Sequence, residues 1–382
     1  MERRTVTPRE GWPARLEARG FPLHTPDGPY WDETACWAFT AREIDTLERA
    51  TGELHRLTLE AVEHVLSSGS WWERLRVPPA LVPAIRASWE ACEGQGAPSI
   101  YGRMDLAWNG EGPPKLLEYN ADTPTALIEA AVVQWDWLLD VAPDLDQWNS
   151  IHDRLVAGWK DLAPWLAEGP VHFASGGEAE DVLTATYLQD TAAQAGLSTA
   201  FVTMPDVGWD GARFVDLEER PIRSCFKLYP WEWMAREAFG AHLPRAETTW
   251  IEPPWKMLVS NKAFLALLWD RNPGHPNLLP ASLDAPGFGM RSFARKPLFG
   301  REGADVTLVR EGETIARGAE GSYGEEGFVY QRLYEWGDRL GSRTPVLGAW
   351  VVQGEPAGLG VREGDGPITD DRSRFVPHLI DG

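Results

Sequence analysis

Two short stretches, YGRMDL at residues 101–106 and LEYNAD at residues 117–122, are the most informative part of this chain. Alternate side chains of a β-strand share one face. The segment AWNGEGPPK between the two stretches carries Asn109-Gly110 and other turn residues that fold the second strand back beside the first. The resulting hairpin would present one polar face made of Arg103, Asp105, Glu118 and Asn120.

This polar face has the composition of a metal and phosphate site. Carboxylate and amide oxygens are the hard donors that Mg²⁺ prefers, and an arginine fork recognises phosphate oxygens. The three oxygen donors beside Arg103 therefore predict a Mg²⁺ ion that bridges nucleotide phosphates. The alternative is a solvated hairpin with alternating charge, which needs no ligand.

Length, charge and cysteine content limit the class of protein. A chain of 382 residues predicts two or three packed subdomains, and 43% apolar residues with 20 Trp are ample for burial. The formal charge of −21 argues against binding to nucleic acid or to an anionic membrane, since both repel an acidic surface. The cysteines, Cys36, Cys92 and Cys225, are far apart, so we expect buried thiols in a reducing compartment. No apolar leader or membrane-length run is present, and we expect a soluble cytoplasmic protein.

Outside the hairpin, the first part of the chain is predicted to be helical. Residues 40–66 predict a long helix that begins with Thr40 and Glu43 in capping-box spacing and ends before Gly69. Its apolar stripe consists of Ile44, Leu47, Leu54, Leu57, Ala61 and Val65. A second helix is expected over residues 79–93.

A third helix is expected directly after the hairpin. Thr123 and Pro124 are typical of a helix cap and first position, and the pattern continues to about residue 141. The polar face would then lead straight into a helix N-terminus.

The remaining pattern predicts an α/β fold with α+β elements. VHFAS at 171–175 and TAFVT at 199–203 are typical of short buried strands, and a helix over about 179–195 between them makes a βαβ unit with a parallel sheet. A helix is expected near residues 261–270. Short alternating strands separated by Gly-rich turns then predict an antiparallel sheet from FARKPL, VTLVR, ETIAR and FVYQRLYEW.

Two lysines in this part could neutralise phosphate. Lys262 lies at the start of a predicted helix, whose positive end adds to its charge. Lys296 precedes a loop with Gly300 and Gly303, where backbone N–H groups could approach phosphate oxygens. Either lysine alone could simply be solvated. A lysine-bearing strand, a glycine-containing loop and then a strand and turn at residues 328–337 follow one another along the chain. This order is typical of proteins that hold a nucleotide between two sheets.

Taken together, GRMDLAW, LLEYNADTPT, EDVLTATYLQD, SNKAFLALLW, KPLFGREGADV and VYQRLYEW resemble the glutathionylspermidine synthase family, in its C-terminal synthetase part. The similarity runs from about residue 25 to the end. It implies an ATP-grasp fold with a pre-ATP-grasp region. We expect a helical region with the metal hairpin at 1–145, a small α/β subdomain at 146–250 and an interlocked nucleotide-binding region at 251–382.

The same resemblance implies roles for individual residues. Asp105, Glu118 and Asn120 would bind Mg²⁺, while Arg103 would contact phosphate and stabilise the transition state as a catalytic residue. ATP would be bound by Lys262, Lys296, Glu302, Gly303 and a hinge made of Gln331, Arg332, Leu333 and Tyr334.

The implied reaction joins a substrate carboxylate to an amine or polyamine. ATP would convert the acid, which we expect to be peptide-like, to an acyl phosphate, and the amine would displace phosphate to form an amide. The alternative is an ATP-binding regulatory or assembly protein whose ligase activity has decayed. Retention of Arg103, Asp105, Glu118, Asn120 and Lys296 argues against decay.

Three further positions have two interpretations each. Thr123 either touches the substrate or only caps its helix. Glu180 and Asp181 either bind a cationic amine or complement a helix dipole. Arg362, with Glu363, either helps close the ATP pocket or forms a surface ion pair.

The chain also departs from the family pattern. It shows no amidase domain and no Cys/His constellation to replace one. In FKLYPWEWM, Lys227 and Trp231-Glu232 keep the family outline, but Leu228 and Trp233 stand where small polar substrate contacts are expected. Glutathione and spermidine themselves are therefore in doubt as substrates.

Overall fold

A computed structural model of the chain describes residues 1–25, 28, 30–95 and 99–382. Its α-helices are α1 (Trp12–Ala18), α2 (Ala41–Ser68), α3 (Val82–Gln95), α4 (Gln134–Val141), α5 (Ile151–Leu162), α6 (Ala179–Gln194), α7 (Trp231–Arg236), α8 (Lys256–Val259) and α9 (Phe264–Arg271). A π-helix, Glu129–Val133, leads into α4.

The strands are short and come from the whole length of the chain. They are β1 (Glu2–Thr5), β2 (Ala35–Phe39), β3 (Tyr101–Ala107), β4 (Lys115–Asn120), β5 (Val171–Ser175), β6 (Thr199–Thr203), β7 (Gly208–Trp209), β8 (Phe214–Val215), β9 (Ser224–Leu228), β10 (Thr249–Ile251), β11 (Ala281–Ser282), β12 (Phe293–Pro297), β13 (Thr307–Arg310), β14 (Glu313–Arg317), β15 (Phe328–Arg332), β16 (Val346–Val352), β17 (Glu355–Glu363), β18 (Arg374–Phe375) and β19 (His378–Ile380).

The sheet orders confirm a mixed α/β fold. The predicted hairpin is the β3–β4 edge of an antiparallel sheet ordered β18-β17-β16-β3-β4. The predicted βαβ unit lies in a parallel sheet ordered β10-β9-β5-β6, and the predicted C-terminal sheet is ordered β11-β15-β12-β13-β14. Small sheets join β1-β2-β19 and β7-β8. The division at residues 1–145, 146–250 and 251–382 stays a prediction.

The long helix α2 is confirmed, and its capping box is formed. Thr40 Oγ1 accepts from the Glu43 backbone N–H at 3.3 Å, and the Glu43 carboxylate accepts from the Thr40 N–H at 2.9 Å. Gly69 ends the helix with a φ of 67°, a left-handed conformation that suits glycine. All six residues of the predicted apolar stripe are buried, and α2 packs against α9 and β16. The helix therefore packs against the sheet that contains the predicted hairpin.

The predicted helix start at Thr123 and Pro124 is wrong, because the chain becomes helical only at Leu127. Side chains of β3 hold the intervening carbonyls: Tyr101 donates its hydroxyl to the oxygen of Pro124 at 3.0 Å, and Arg103 donates to the oxygen of Thr125 at 2.6 Å. Ala126 then has a φ of 63°, which cannot belong to a right-handed helix. Thr123 is not a helix cap, and the polar face does not lead directly into a helix.

Two predictions about buried residues are confirmed only in part. TAFVT forms β6, but only Val202 in it is fully buried, because β6 is the edge strand of the parallel sheet. Cys36 and Cys225 are buried free thiols as predicted, and burial raises the pKa of the Cys225 thiol to about 12. Cys92 lies outside the side chains that the structure describes. Among the described residues, no helix has the length and apolar character needed to span a membrane.

A buried ion pair fixes the start of β3. Glu252 Oε1 accepts hydrogen bonds from the backbone N–H groups of Ile100 and Tyr101 at 2.8 and 2.9 Å. Lys256 Nζ lies 2.5 Å from the Glu252 carboxylate and donates to the Tyr101 carbonyl at 2.6 Å. The strand that carries Arg103 is thereby tied to the α/β region.

We expect Lys256→Met to lower the free energy of unfolding by about 3–5 kcal/mol, because it leaves the Glu252 carboxylate buried without its counter-ion. Urea unfolding followed by tryptophan fluorescence measures this loss. The double variant Glu252→Gln, Lys256→Met is the control and should recover part of it, since no buried charge remains. A single variant as stable as the wild type would contradict this role of the pair.

Candidate active site

The hairpin brings its four predicted polar side chains together. The β3–β4 register places Arg103 opposite Asn120 and Asp105 opposite Glu118. Arg103 donates from Nε and Nη2 to the Asp105 carboxylate at 2.7 and 3.1 Å, and Asn120 Nδ2 donates to Asp105 and Glu118 at 3.2 Å each. The side chains of Arg103 and Asp105 are only 12% and 14% exposed. The shared face is confirmed, and its side chains are partly buried rather than fully solvated.

Two lysines place positive charge beside the carboxylates of this face. Lys262 Nζ lies 2.9 Å from Glu118 Oε2, and Lys296 Nζ donates to the carbonyl of Leu117 at 2.9 Å and to Gln331 Oε1 at 2.8 Å. Burial alone would raise the pKa of Glu118, but the charges of Lys262 and Lys296 lower it to about 2. Burial lowers the pKa of Lys296 to about 8, against the attraction of Glu118. At neutral pH the carboxylate is therefore fully ionised.

These groups line an open cleft between the hairpin and the sheet that contains β12 and β15. The predicted site residues that line it are Asp105, Glu118, Lys262, Lys296, Glu302, Gly303, Gln331, Arg332, Leu333 and Tyr334. A second, smaller cavity is lined by Arg103 and Arg362 and shares Asp105, Val346 and Thr369 with the cleft. The two cavities thus meet at the polar face of the hairpin.

Some residues that line the cleft were not predicted from the sequence. Val346, the first residue of β16, lies next to Ala107 of β3, and Ile368 and Thr369 come from the loop after β17. Val346, Ile368 and Leu308 add apolar surface to the lining of the cleft. No local pattern marks these residues, since their place depends on the pairing of β16 with β3.

The flap, residues 298–306 between β12 and β13, closes one side of the cleft. Lys262 donates to the Gly300 carbonyl at 2.6 Å and also contacts Glu118, which ties the flap to the polar face of the hairpin. Gly303 has a φ of 69°, and a Cβ there would come within 2.4 Å of the Thr369 carbonyl oxygen. A side chain at position 303 would clash with this carbonyl oxygen, so glycine is required there. The preceding residue, Glu302, lines the cleft.

The flap also reaches the side of the site where a substrate was predicted. Arg301 donates to the Thr123 hydroxyl, and its guanidinium carbon lies 5.3 Å from the centre of a Trp233 ring. Burial raises the pKa of Asp181 to about 6, although Arg301 opposes this. Leu228, predicted to disturb a substrate contact, is instead buried in the core, whereas Trp233 is partly exposed.

The interpretation of Arg362 and Glu363 as a surface ion pair is wrong. Arg362 donates to the Asp370 carbonyl at 2.5 Å on one face of β17. Glu363, on the opposite face, is buried and binds Arg3 at 2.8 Å and the Trp37 indole N–H at 3.2 Å. Of the two, only Arg362 is among the residues that line the smaller cavity.

A buried pair joins the hairpin to the parallel sheet. Lys227 Nζ lies 2.5 Å from the Asp122 carboxylate, which also accepts from the Trp231 backbone N–H at 3.1 Å. Asp122 was not predicted to be important, although Lys227 and Trp231 were noted in FKLYPWEWM. The pair fixes the end of β4 against the carboxyl end of β9.

A cleft between two sheets, with carboxylates and lysines beneath a glycine-containing flap, is the arrangement expected of an ATP-grasp protein, and the named relatives of this chain show the class to be that of ATP-dependent C–N ligases. Within that class, the chain belongs to the glutathionylspermidine synthase preATP-grasp family, whose sequence model matches residues 3–381. The predicted ATP-grasp fold with a pre-ATP-grasp region and the family resemblance are both confirmed.

Relatives of known name support this class. A Haemophilus influenzae protein that carries the provisional name acid–amine ligase is 38% identical, over 94% of this chain and 93% of its own length. Trypanothione synthetase of Crithidia fasciculata is 28% identical over 85% of this chain, and the bifunctional glutathionylspermidine synthetase/amidase of Escherichia coli is 27% identical over 90%. The aligned regions cover 53% and 59% of these two enzymes.

The fold is also found in a solved structure. The apo form of a glutathione synthetase-like effector from Globodera pallida superposes with a TM-score of 0.53 over 90% of this chain and 89% of its own, at 10% identity. At this identity the similarity concerns the fold alone.

Proposed function

We propose that this protein forms an amide between a substrate carboxylate and an amine, through an acyl phosphate made from ATP with Mg²⁺. The observation that carries the proposal is the arrangement of Asp105 and Glu118 opposite Lys262 and Lys296 at one end of the cleft. Ionised carboxylates and fixed cations at one place are what phosphoryl transfer requires, because its catalysis is mainly positioning and charge neutralisation.

The nucleotide would lie along the cleft with its base at the hinge, residues 331–334. The Gln331 side chain is already bound to Lys296 and, through Nε2, to the Leu116 carbonyl at 2.9 Å, so it orients the lysine rather than offering free groups to the base. Lys262, Lys296 and the flap residues Glu302 and Gly303 would surround the phosphates, and Arg362 would approach them from the smaller cavity.

The donor set fits Mg²⁺ chemically. Asp105 and Glu118 face one another as carboxylates, and Asn120 would add its Oδ1 if its amide turned by half a rotation. In the described residues no cluster of three or more His, Cys, Asp or Glu side chains could hold a metal, so the site would use two carboxylates, an amide and phosphate oxygens. Bound Mg²⁺ would neutralise phosphate charge.

Arg103 would act on the transferring phosphoryl group. Its guanidinium is held by Asp105, by the Thr125 carbonyl and by the Trp350 ring, whose centre lies 5.7 Å away. A fixed cation of this kind stabilises charge that develops on phosphate oxygens. Arg103 also lines the smaller cavity, so the acid substrate would meet the phosphate there.

We propose a peptide-like acid and an amine or polyamine as substrates, because the named relatives join such groups. Thr123, Glu180 and Asp181 would contact them, since Thr123 binds the flap through Arg301 and the two acids lie in the first turn of α6.

The direct test is a phosphate-release assay with ATP and Mg²⁺ across pairs of acids and amines, including glutathione-like peptides and polyamines. We expect release that needs both an acid and an amine. A thermal-shift titration with ATP accompanies it, since a bound nucleotide raises the melting temperature. Tight ATP·Mg²⁺ binding without release for any pair would contradict the ligase function and favour the ATP-binding protein.

We expect the KM for ATP to rise as the pH increases from about 7.5 to 9.5, because the free enzyme loses the Lys296 charge above a pKa of about 8. Binding of the phosphates must then restore the proton, which weakens binding at high pH. Steady-state rates at fixed Mg²⁺ measure the effect. Lys296→Arg, which keeps its charge, is the control and should flatten the rise; an equal rise in both proteins would remove Lys296 from the phosphate site.

A further inference from the structure

The flap is in contact with a second loop, residues 318–327 between β14 and β15. The sequence of this loop, GAEGSYGEEG, has glycine at every third position and little apolar surface with which to fix its own conformation. Its backbone lies directly on the flap, because Gly318 donates its N–H to the Val306 carbonyl at 2.8 Å. A Cβ at Gly318 would overlap the Gly303 carbonyl oxygen. The position of the flap therefore depends on the position of this loop.

Asp305 of the flap binds the loop with its side chain as well as its backbone. Its N–H donates to the Ala319 carbonyl at 2.9 Å, and its carboxylate accepts from the backbone N–H groups of Gly321 and Tyr323, each at 3.0 Å. Hydrogen bonds to a carboxylate are roughly twice as strong as those between neutral groups. The φ of Asp305 is 56°, a left-handed conformation that aspartate and asparagine adopt more readily than most residues. Asp305 thus joins the flap to the loop.

Asp305 is not among the described residues that line the cleft, but the flap residues around it are. Those that line the cleft are Gly300, Glu302, Gly303, Ala304 and Val306. Both carboxylate oxygens of Asp305 are bound to the loop, so its effect on a ligand would pass through the position of the flap. Lys262 holds the start of the flap beside Glu118, and Asp305 holds its end. The flap is therefore fixed where the phosphates would lie.

The loop is in turn attached to two other parts of the molecule through Glu326. Arg76, in the segment before α3, donates from Nε to the Glu326 carbonyl at 2.9 Å. Arg236, the last residue of α7, donates to the Glu326 carboxylate. The next carbonyl, that of Gly327, accepts from the N–H of Leu298 at the start of the flap at 3.1 Å. The loop can therefore serve as a support against which Asp305 places the flap.

We propose that Asp305 is a positioning residue that holds the flap over the phosphate end of the cleft, so that the acyl phosphate reacts with the amine and not with water. The proposal rests on the ligase function above. If water replaces the amine, its oxygen bonds to the acyl carbon while the bond from that carbon to the phosphate oxygen breaks. The products are the original carboxylate, HPO₄²⁻ and a proton, and no amide forms. Closed loops that exclude water prevent such side reactions.

The variant Asp305→Asn tests this role. Asparagine tolerates the same backbone conformation, but it keeps one accepting oxygen and places an NH₂ donor against the other N–H. Amide and phosphate are measured in one reaction, with the acid and amine selected by the phosphate-release assay. The wild type should form equal amounts of both. In the variant we expect amide formation to fall by up to about 100-fold, the scale of a misplaced positioning group, and phosphate release with ATP and the acid alone to rise.

A second variant disturbs the same contact from the side of the loop. Gly321 does not have a left-handed φ, so alanine fits its backbone, but the new Cβ would come within 2.8 Å of an Asp305 carboxylate oxygen. Gly321→Ala should therefore also release more phosphate than amide. The matched control is Asp210→Asn in the turn between β7 and β8, where the carboxylate likewise accepts from two backbone N–H groups, at 2.8 and 2.7 Å. This control should keep equal amounts of amide and phosphate.

Hydrogen–deuterium exchange without substrates measures the contact independently of turnover. Amides of residues 302–306 and 318–327 should exchange faster in Asp305→Asn than in the wild type, while those of α2 stay unchanged. Unchanged exchange in both segments, or amide and phosphate that fall together in equal amounts, would overturn the role of Asp305 and leave the ligase function intact. Absence of amide in the wild type with every acid and amine tested would overturn the proposed function and the role of Asp305 with it.

Discussion

Asp105→Asn is expected to reduce ATP-, acid- and amine-dependent phosphate release by at least about 10³-fold. The asparagine keeps an oxygen that accepts from Arg103, but it removes the anionic oxygens that would hold Mg²⁺ opposite Glu118. A bound metal contributes several kcal/mol of transition-state charge stabilisation, which corresponds to about three decades in rate. Initial rates at saturating ATP measure the loss.

The fold of this variant should survive, so its melting temperature without ligand should stay close to that of the wild type. Asp45→Asn, an exposed position on α2, makes the same chemical change outside the site and should leave turnover unchanged. Wild-type turnover in Asp105→Asn would contradict the proposal that the hairpin binds Mg²⁺.

The second large effect is expected for Arg103→Lys, which should lower kcat about 10³-fold with little change in the KM for ATP. Arginines that stabilise a transferring phosphoryl group contribute about 10³ to 10⁵ in kcat. Lysine keeps one charge but loses the fork that binds both Asp105 oxygens and the Thr125 carbonyl together. A single ammonium group cannot make all of these contacts at once, so it would not be held in the same position beside the phosphate.

Separate measurement of kcat and KM decides this assignment. Arg42→Lys, at an exposed position in the first turn of α2, is the matched control. If Arg103→Lys raised only the KM for ATP, the arginine would be a ground-state phosphate ligand and not a transition-state group. A lowered melting temperature with normal kcat would instead make its contact with Thr125 purely structural.

The hairpin face could be predicted from the sequence because its determinant is local. Strand periodicity alone puts Arg103 and Asp105 on one side, and a short turn brings Glu118 and Asn120 opposite them. The capping box of α2 is local in the same way, since Thr40 and Glu43 are one helical turn apart. The order of lysine strand, flap and hinge was sufficient to predict a cleft between two sheets, which the structure contains.

The segment after the hairpin was mispredicted because its structure depends on distant side chains. Thr123-Pro124 is a strong local signal for a helix start, yet Tyr101 and Arg103 bind the carbonyls at 124 and 125 from the neighbouring strand. Hydrogen bonds from fixed side chains outcompete the next helical turn. The same bonds orient Arg103, so the irregular backbone is part of the site.

By itself, the sequence determined the polar face, the long supporting helix and the family, because period, caps and motifs act over a few residues. Tertiary structure alone decided that β16 and β17 extend the sheet beside β3, and that Lys262 and Lys296 come close enough to lower the pKa of Glu118. Burial and electrostatic coupling depend on which distant elements pack together. The ionisation of Glu118 is therefore a property of the folded molecule and of no segment within it.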